Sequence, residues 1–252
     1  MERWRNKVAI VTGASSGIGA ATAKLLVQNG LQVVGVARRY ENIENLSLEL
    51  KNQPGKLHSY RADMTIEADI ISAFEWTEKN IGPVAILINN AGVARPTNII
   101  DGDASEWRKV LDTNIFGVTV ALREAIRVMR KHSIDGVIVN VNSVAGHFVP
   151  TIPLKNVYPA SKYAVTALTE TTRQELIELG SRIKVASISP GYVETEIASR
   201  NGFLKDKHVA EVEKYAPRLF ANDIAEAIVF ILSTPAHVQV TELTIRPVGE
   251  PV

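Results

Sequence analysis

The 252-residue chain carries 28 Lys and Arg against 27 Asp and Glu, a net charge of +1, and 46% of its residues are hydrophobic. That balance supports a sizeable buried core and offers no field for steering nucleic acid or an anionic membrane surface. The absence of cysteine excludes disulfides, thiolate nucleophiles and Cys-ligated zinc, and no metal site is expected. No apolar run approaches the roughly 20 residues of a membrane span, so a cytoplasmic protein without a span is the expectation.

Apolar β-branched runs alternate with segments of helical period along the whole chain. Strands are predicted at Val8 to Thr12, Gln32 to Ala37, Leu57 to Arg61, Val84 to Asn89, Val137 to Asn142, Ile183 to Ser189 and Glu242 to Ile245. Helices are predicted at Ile18 to Asn29, Asn42 to Lys51, Ile66 to Asn80, Ala104 to Arg130, Val157 to Leu179 and Asp223 to Leu232. Strand runs that are apolar almost without interruption belong to a parallel sheet covered on both faces. The expected fold is α/β, a Rossmann-type doubly wound sheet of about seven parallel strands with helices on both faces. No linker or repeat divides the chain, so residues 1–252 read as a single domain, with a substrate-loop insertion around 191–222 that carries Gly202 and Pro217.

After the first strand stands Thr12-Gly13-Ala14-Ser15-Ser16-Gly17-Ile18-Gly19. Glycines at this point permit a tight strand-to-helix turn and bring bare N–H groups and a helix N-terminus toward a pyrophosphate. The same letters are compatible with a mere tight turn. They also satisfy G-x-S-x-G around Ser15, the pattern of a hydrolase nucleophile elbow. Context weighs against the hydrolase, whose serine sits on a mid-sheet strand, whereas one strand precedes Ser15. At the end of the second strand, where a carboxylate would select NAD, the chain reads Val36-Ala37-Arg38-Arg39. Guanidinium groups there suit the 2′-phosphate of NADP(H), the alternative being two solvated arginines opening a helix.

Tyr158 and Lys162 lie one helical turn apart in Tyr158-Pro159-Ala160-Ser161-Lys162, and Pro159 suits the first turn of that helix. A free phenol with pKa near 10 costs about 4 kcal/mol to ionise at pH 7, and an ammonium nearby reduces that cost. Such a tyrosine is a candidate general acid or base. Ser143 follows the strand ending at Asn142, at the carboxyl edge where ligands of parallel sheets bind. His147 offers either a Ser–His pair with Ser143 or a histidine of the pocket wall.

Together these segments resemble the short-chain dehydrogenase/reductase family along essentially the whole chain. The matching stretches are Thr12 to Gly19, Asp63, Asn89-Asn90-Ala91-Gly92, Asn114, Ser143, Tyr158 to Lys162 and Pro190-Gly191-Tyr192-Val193-Glu194-Thr195. The resemblance implies that Tyr158 exchanges a proton with the substrate oxygen and Ser143 positions that oxygen. Lys162 would bind the nicotinamide ribose and lower the Tyr158 pKa, and Asn114 would support a proton-relay water. The same resemblance places the cofactor against Gly13, Ser15, Ser16, Gly17, Ile18, Gly19, Arg38, Arg39, Asp63, Met64, Asn90, Ala91, Gly92, Pro190, Gly191, Val193 and Thr195. Met1 to Arg5, Ala94-Arg95-Pro96, Lys162 to Glu170 and Ser233 to His237 are similar to the NADP-dependent branch that holds insect farnesol dehydrogenases and a vertebrate cytosolic reductase of steroids and other ketones. Pro159 directly after the tyrosine departs from many relatives.

Val144, Phe148, Val149, Pro150, Ile152, Leu154, Tyr192, Phe203 and Leu204 make candidate walls for a small apolar alcohol or carbonyl, with Lys155, Lys205 and Lys207 the cations nearby. The resemblance further implies a homodimer or homotetramer in which helices Ala104 to Arg130 and Val157 to Leu179 pair with their copies. A cofactor-binding regulator without turnover is the remaining alternative.

Overall fold

The computed structural model describes residues 1–151, 156–196 and 215–250. Seven parallel strands form one sheet in the order β3-β2-β1-β4-β5-β6-β9. They are β1 Val8–Thr12, β2 Gln32–Ala37, β3 Lys56–Arg61, β4 Val84–Asn89, β5 Val137–Val141, β6 Lys184–Pro190 and β9 Glu242–Ile245. The helices are α1 Gly17–Gln28, α2 Tyr40–Glu49, α3 Glu67–Asn80, α4 Ala104–Leu111, α5 Val118–Lys131, α6 Tyr158–Glu178 and α7 Ala221–Ser233. Two short strands, β7 Val193–Glu194 and β8 Leu219–Phe220, pair with each other inside the region expected as an insertion. Gly202, Phe203, Leu204, Lys205 and Lys207 lie outside the described residues, as do Ile152, Leu154 and Lys155.

Alternation along each strand divides the core into two layers. Ala9, Val11, Val33, Ile86, Ile88, Val139 and Ile188 face Leu26 and Val27 of α1, Ile43 of α2 and Ile224, Ile228 and Ile231 of α7. Ile10, Val34, Leu87, Ile138 and Val185 face Ile70 and Phe74 of α3, Val128 and Met129 of α5 and Leu176 of α6. Each of the larger side chains among these (Val, Leu, Ile, Met, Phe) contributes about 1.5–3 kcal/mol by leaving water.

The sheet order reverses direction between β1 and β4, and there the carboxyl ends diverge into a crevice. The segment Ala104 to Arg130, expected as one helix, is interrupted: Asp112–Gly117 widens into a π-helical turn between α4 and α5. Gly117 is packed so closely that a Cβ there would stand 2.2 Å from the Met64 carbonyl oxygen. The wide turn carries Asn114 inward, where it is 1% exposed.

Candidate active site

The glycine turn is built by close approach of two strands. Gly13 has φ +67, and a Cβ there would lie 2.9 Å from the Ala91 Cα. At Gly19 a Cβ would meet Asn90 Nδ2 at 2.4 Å and the Gly13 carbonyl oxygen at 2.5 Å, so neither position accommodates a side chain without movement. Thr12 closes the joint, its Oγ1 accepting from the N–H groups of Asn90 and Ala91 at 3.0 Å each. The Asn90 amide donates to the Thr12 carbonyl at 2.9 Å and to the Gly13 carbonyl at 3.3 Å, so its side chain holds the turn itself. Ser16 stands at the N-cap of α1 with no side-chain cap hydrogen bond, and the first-turn N–H groups therefore look to a partner outside the helix.

Arg39 Nη2 donates to Ser15 Oγ at 3.3 Å and to Ser16 Oγ at 3.2 Å, placing a guanidinium over the turn. Its Nη1 is buried without a hydrogen-bond partner and lies 3.7 Å from a carboxylate oxygen of Glu196. Arg38 is the more open of the pair, 66% exposed, with Nη1 3.7 Å from Asp63 Oδ2. Asp63 Oδ1 accepts from the Thr65 amide and hydroxyl at 2.9 and 2.8 Å, which fixes the carboxylate at the end of β3. Met64 is buried. The Ser15 hydroxyl faces this guanidinium, and a guanidinium cannot take its proton as a general base.

At the carboxyl end of β5, Ser143 caps a short 3-10 turn over Val144–Gly146, its Oγ accepting from the Ala145 amide at 3.1 Å. It also lies close enough to the Tyr158 hydroxyl to act on its pKa. The Tyr158 ring keeps partial contact with solvent, but its hydroxyl is enclosed, and burial raises its pKa while the neighbouring Ser143 side chain pulls the other way. Lys162 is 7% exposed. Its Nζ donates to the Val141 carbonyl at 3.0 Å and lies 5.8 Å from the Tyr158 ring centre. Burial lowers the Lys162 pKa to about 8. Lys162 thus stands beside the phenol with its ammonium held by a backbone carbonyl, while Ser143 opposes the effect of burial on the phenol.

Asn114 accepts from the Val93 amide at 2.9 Å and donates to the Val93 carbonyl at 2.9 Å and to Ser161 Oγ at 3.0 Å. Ser161 in turn donates to the Tyr158 carbonyl at 2.7 Å. The carboxamide thus ties the turn after β4 to the first turn of α6, a link through Ser161 that sequence reasoning did not assign. Gly92 lies against the same group, where a Cβ would be 3.6 Å from Asn114 Oδ1 and 3.9 Å from Lys162 Nζ. The segment after β6 completes the crevice, because a Cβ at Gly17 would meet the Thr195 methyl at 3.3 Å. His147 does not pair with Ser143. Its Nε2 stands 2.9 Å from Ser189 Oγ and 3.5 Å from Glu242 Oε2, a wall histidine tied to β6 and β9.

Glycine turn, paired arginines, serine, tyrosine and lysine thus meet at one crevice, and comparison with known proteins finds the same arrangement of sequence. The family described as short chain dehydrogenase matches residues 7–202. The chain is 48% identical over 252 residues to a farnesol dehydrogenase of Aedes aegypti, covering 99% of each chain. It is 46% identical over 250 residues to dehydrogenase/reductase SDR family member 11 of Bos taurus, covering 98% of each. Among solved structures, the closed form of a serine dehydrogenase complexed with NADP+ superposes with TM-score 0.88 at 27% identity, over 97% of this chain and 96% of that one. Among the described residues no helix is long and apolar enough to cross a membrane, and no cluster of His, Cys, Asp and Glu is arranged to hold a metal ion. By motif, fold and full-length similarity, the chain belongs to the short-chain dehydrogenase/reductase family of oxidoreductases.

Proposed function

We propose that the chain is an NADP(H)-dependent oxidoreductase acting on a small apolar alcohol, farnesol or a similar prenyl or aliphatic alcohol, and on its carbonyl counterpart. The observation that carries this reading is the enclosed Tyr158 hydroxyl beside Ser143, one helical turn from buried Lys162, in the crevice that opens beside the glycine turn. The crevice fits a dinucleotide phosphate. The first turn of α1 has no side-chain cap, and Arg39 Nη1 is a buried donor without a hydrogen-bond acceptor. Gly13, Ser15, Ser16, Gly17, Ile18 and Gly19 would hold the pyrophosphate, Arg39 with Arg38 the 2′-phosphate, and Asp63 with Met64 the adenine side. Ala91, Gly92, Lys162, Pro190, Gly191, Val193 and Thr195 would hold the nicotinamide end, and Asn90 acts by keeping the turn in shape.

The nicotinamide supplies the hydride acceptor or donor when bound. Tyr158 takes or gives the proton at its phenolic oxygen, and Ser143 holds the substrate oxygen within reach of it. Lys162 keeps a positive charge beside the phenol, and Asn114, its side chain held by Val93 and Ser161, would serve a proton relay from its place on the π-helical turn. Val144, Phe148, Pro150 and Tyr192 supply apolar surface, which supports an apolar substrate. The similarity to a protein named farnesol dehydrogenase supports the prenyl alcohol in particular. Exposed Leu111, Phe116 and Tyr163 support a homodimer or homotetramer through the helices that carry them, and the absence of cysteine supports the cytoplasm. A kinetic screen of farnesol, geraniol, simple alkanols and keto-steroids with NADP(H) and NAD(H) tests the reading. Turnover of the apolar alcohols with NADP+ is expected, and activity confined to charged substrates overturns it.

A further inference from the structure

We propose that Glu250 is a positioning residue that clamps the Gly191–Tyr192 backbone and joins the two walls of the candidate active site into one unit. The proposal rests on the reading of Pro190 to Thr195 as the nicotinamide segment. β6 and β9 run side by side to their ends, where Pro190 is in register with Ile245 and the Gly191 amide donates to the Ile245 carbonyl at 2.7 Å. The β6–β9 pairing ends there. The chain after β9 turns back instead, with Glu250 N donating to the Pro247 carbonyl at 3.2 Å and Gly249 at φ +85. This brings the Glu250 carboxylate onto the vacated position, where its Oε1 accepts from the Tyr192 amide at 2.7 Å. The seat exists because residue 191 has no side chain: a Cβ on Gly191 would lie 2.4 Å from Glu250 Oε2 and 2.7 Å from Oε1.

A carboxylate at 14% exposure requires a counter-charge. Arg246 provides it, Nε donating to Glu250 Oε2 at 2.7 Å. The same guanidinium lies 5.4 Å from the ring centre of Phe148, in the wall that follows Ser143. The next peptide is held as well, the Tyr192 carbonyl accepting from the Leu219 amide at 2.9 Å. One connected path therefore runs from Phe148 through Arg246 and Glu250 to Tyr192, and from there the chain continues through Val193, the next residue, to Thr195 against Gly17. The Glu250 carboxylate contacts Gly191, Tyr192 and Arg246, away from Tyr158 and the glycine turn. It fixes the distance between the Ser143 wall and the segment that closes over the crevice.

The test uses the full chain and two readouts. Hydrogen exchange at the Tyr192 amide, without cofactor or substrate, is expected to speed up in E250A by about tenfold, the loss of one charge-assisted hydrogen bond. E250Q retains an acceptor oxygen and is expected to stay within about threefold of the wild type. In kinetics, E250A is expected to raise KM for cofactor and for farnesol by about tenfold with kcat changed less than about threefold, and E250Q to restore most of the difference. Unchanged exchange at Tyr192 in E250A overturns the clamp, and so does a fall in kcat with both KM values unmoved. Faster exchange in E250A beside a wild-type protein that turns over no apolar alcohol supports the clamp and refutes the proposed substrate.

Discussion

Replacing Arg39 by alanine removes the guanidinium that donates to Ser15 and Ser16 at 3.3 and 3.2 Å and whose Nη1 is buried without an acceptor. If that group holds a 2′-phosphate, hydrogen bonds to a charged partner worth about 1.5–3 kcal/mol are lost. Its side chain is 41% exposed, so solvent screening places the loss at the low end, about 1.5 kcal/mol, or about tenfold in Kd. Arg38 is 66% exposed, and its removal should cost only about twofold. Fluorescence titration of wild type, Arg39→Ala and Arg38→Ala with NADPH and NADH measures both. The expected pattern is weaker NADPH binding in Arg39→Ala with NADH unaffected. Equal weakening of both cofactors would show that Arg39 merely braces the glycine turn, and no weakening of either would remove it from the cofactor site.

Arg38→Asp should shift preference toward NAD, read as the ratio of kcat/KM values for the two cofactors, since a carboxylate there repels a 2′-phosphate. Gly19→Ala forces a methyl into the Asn90 amide and the Gly13 carbonyl, and thermal unfolding should show a loss of about 1–3 kcal/mol together with weaker binding of both cofactors. Lys162 gives up its proton at about 8 in the folded protein, against 10.5 for a free lysine. Between those pH values the unfolded chain binds more protons, so the folded state gains stability as pH rises. Below pH 8 the buried ammonium therefore costs about 3 kcal/mol. Urea unfolding of wild type and Lys162→Met should accordingly diverge most at pH 7 and converge toward pH 10, and a pH-independent gap would contradict the shift.

All seven main strands were legible to within a residue or two, because strands buried on both faces read as unbroken apolar runs such as Val84–Asn89. The helix boundaries followed from the glycines and polar residues between the runs. The π-helical turn at Asp112–Gly117 was not legible, since no local sequence signal separates it from the helices on either side, and the close packing of Gly117 on Met64 is visible only in the tertiary fold. Tyr158, Lys162 and Ser143 were visible because two share a helix face and the third ends a strand. Their supports were not: Ser161 joins Asn114 to Tyr158, and the carbonyl of Val141 holds Lys162. Glu196 and Glu250 carry no local pattern, and only the tertiary fold brings them to Arg39 and Tyr192.

The sharpest trial of the whole account is Tyr158→Phe, assayed in one preparation for NADPH affinity and for farnesol oxidation. The substitution removes the hydroxyl beside Ser143 and leaves the ring. Affinity should stay within about threefold while kcat falls by at least about a hundredfold, the lower bound for losing a positioned acid or base. Farnesol oxidation at near wild-type kcat in that variant would contradict the assignment of the proton to Tyr158.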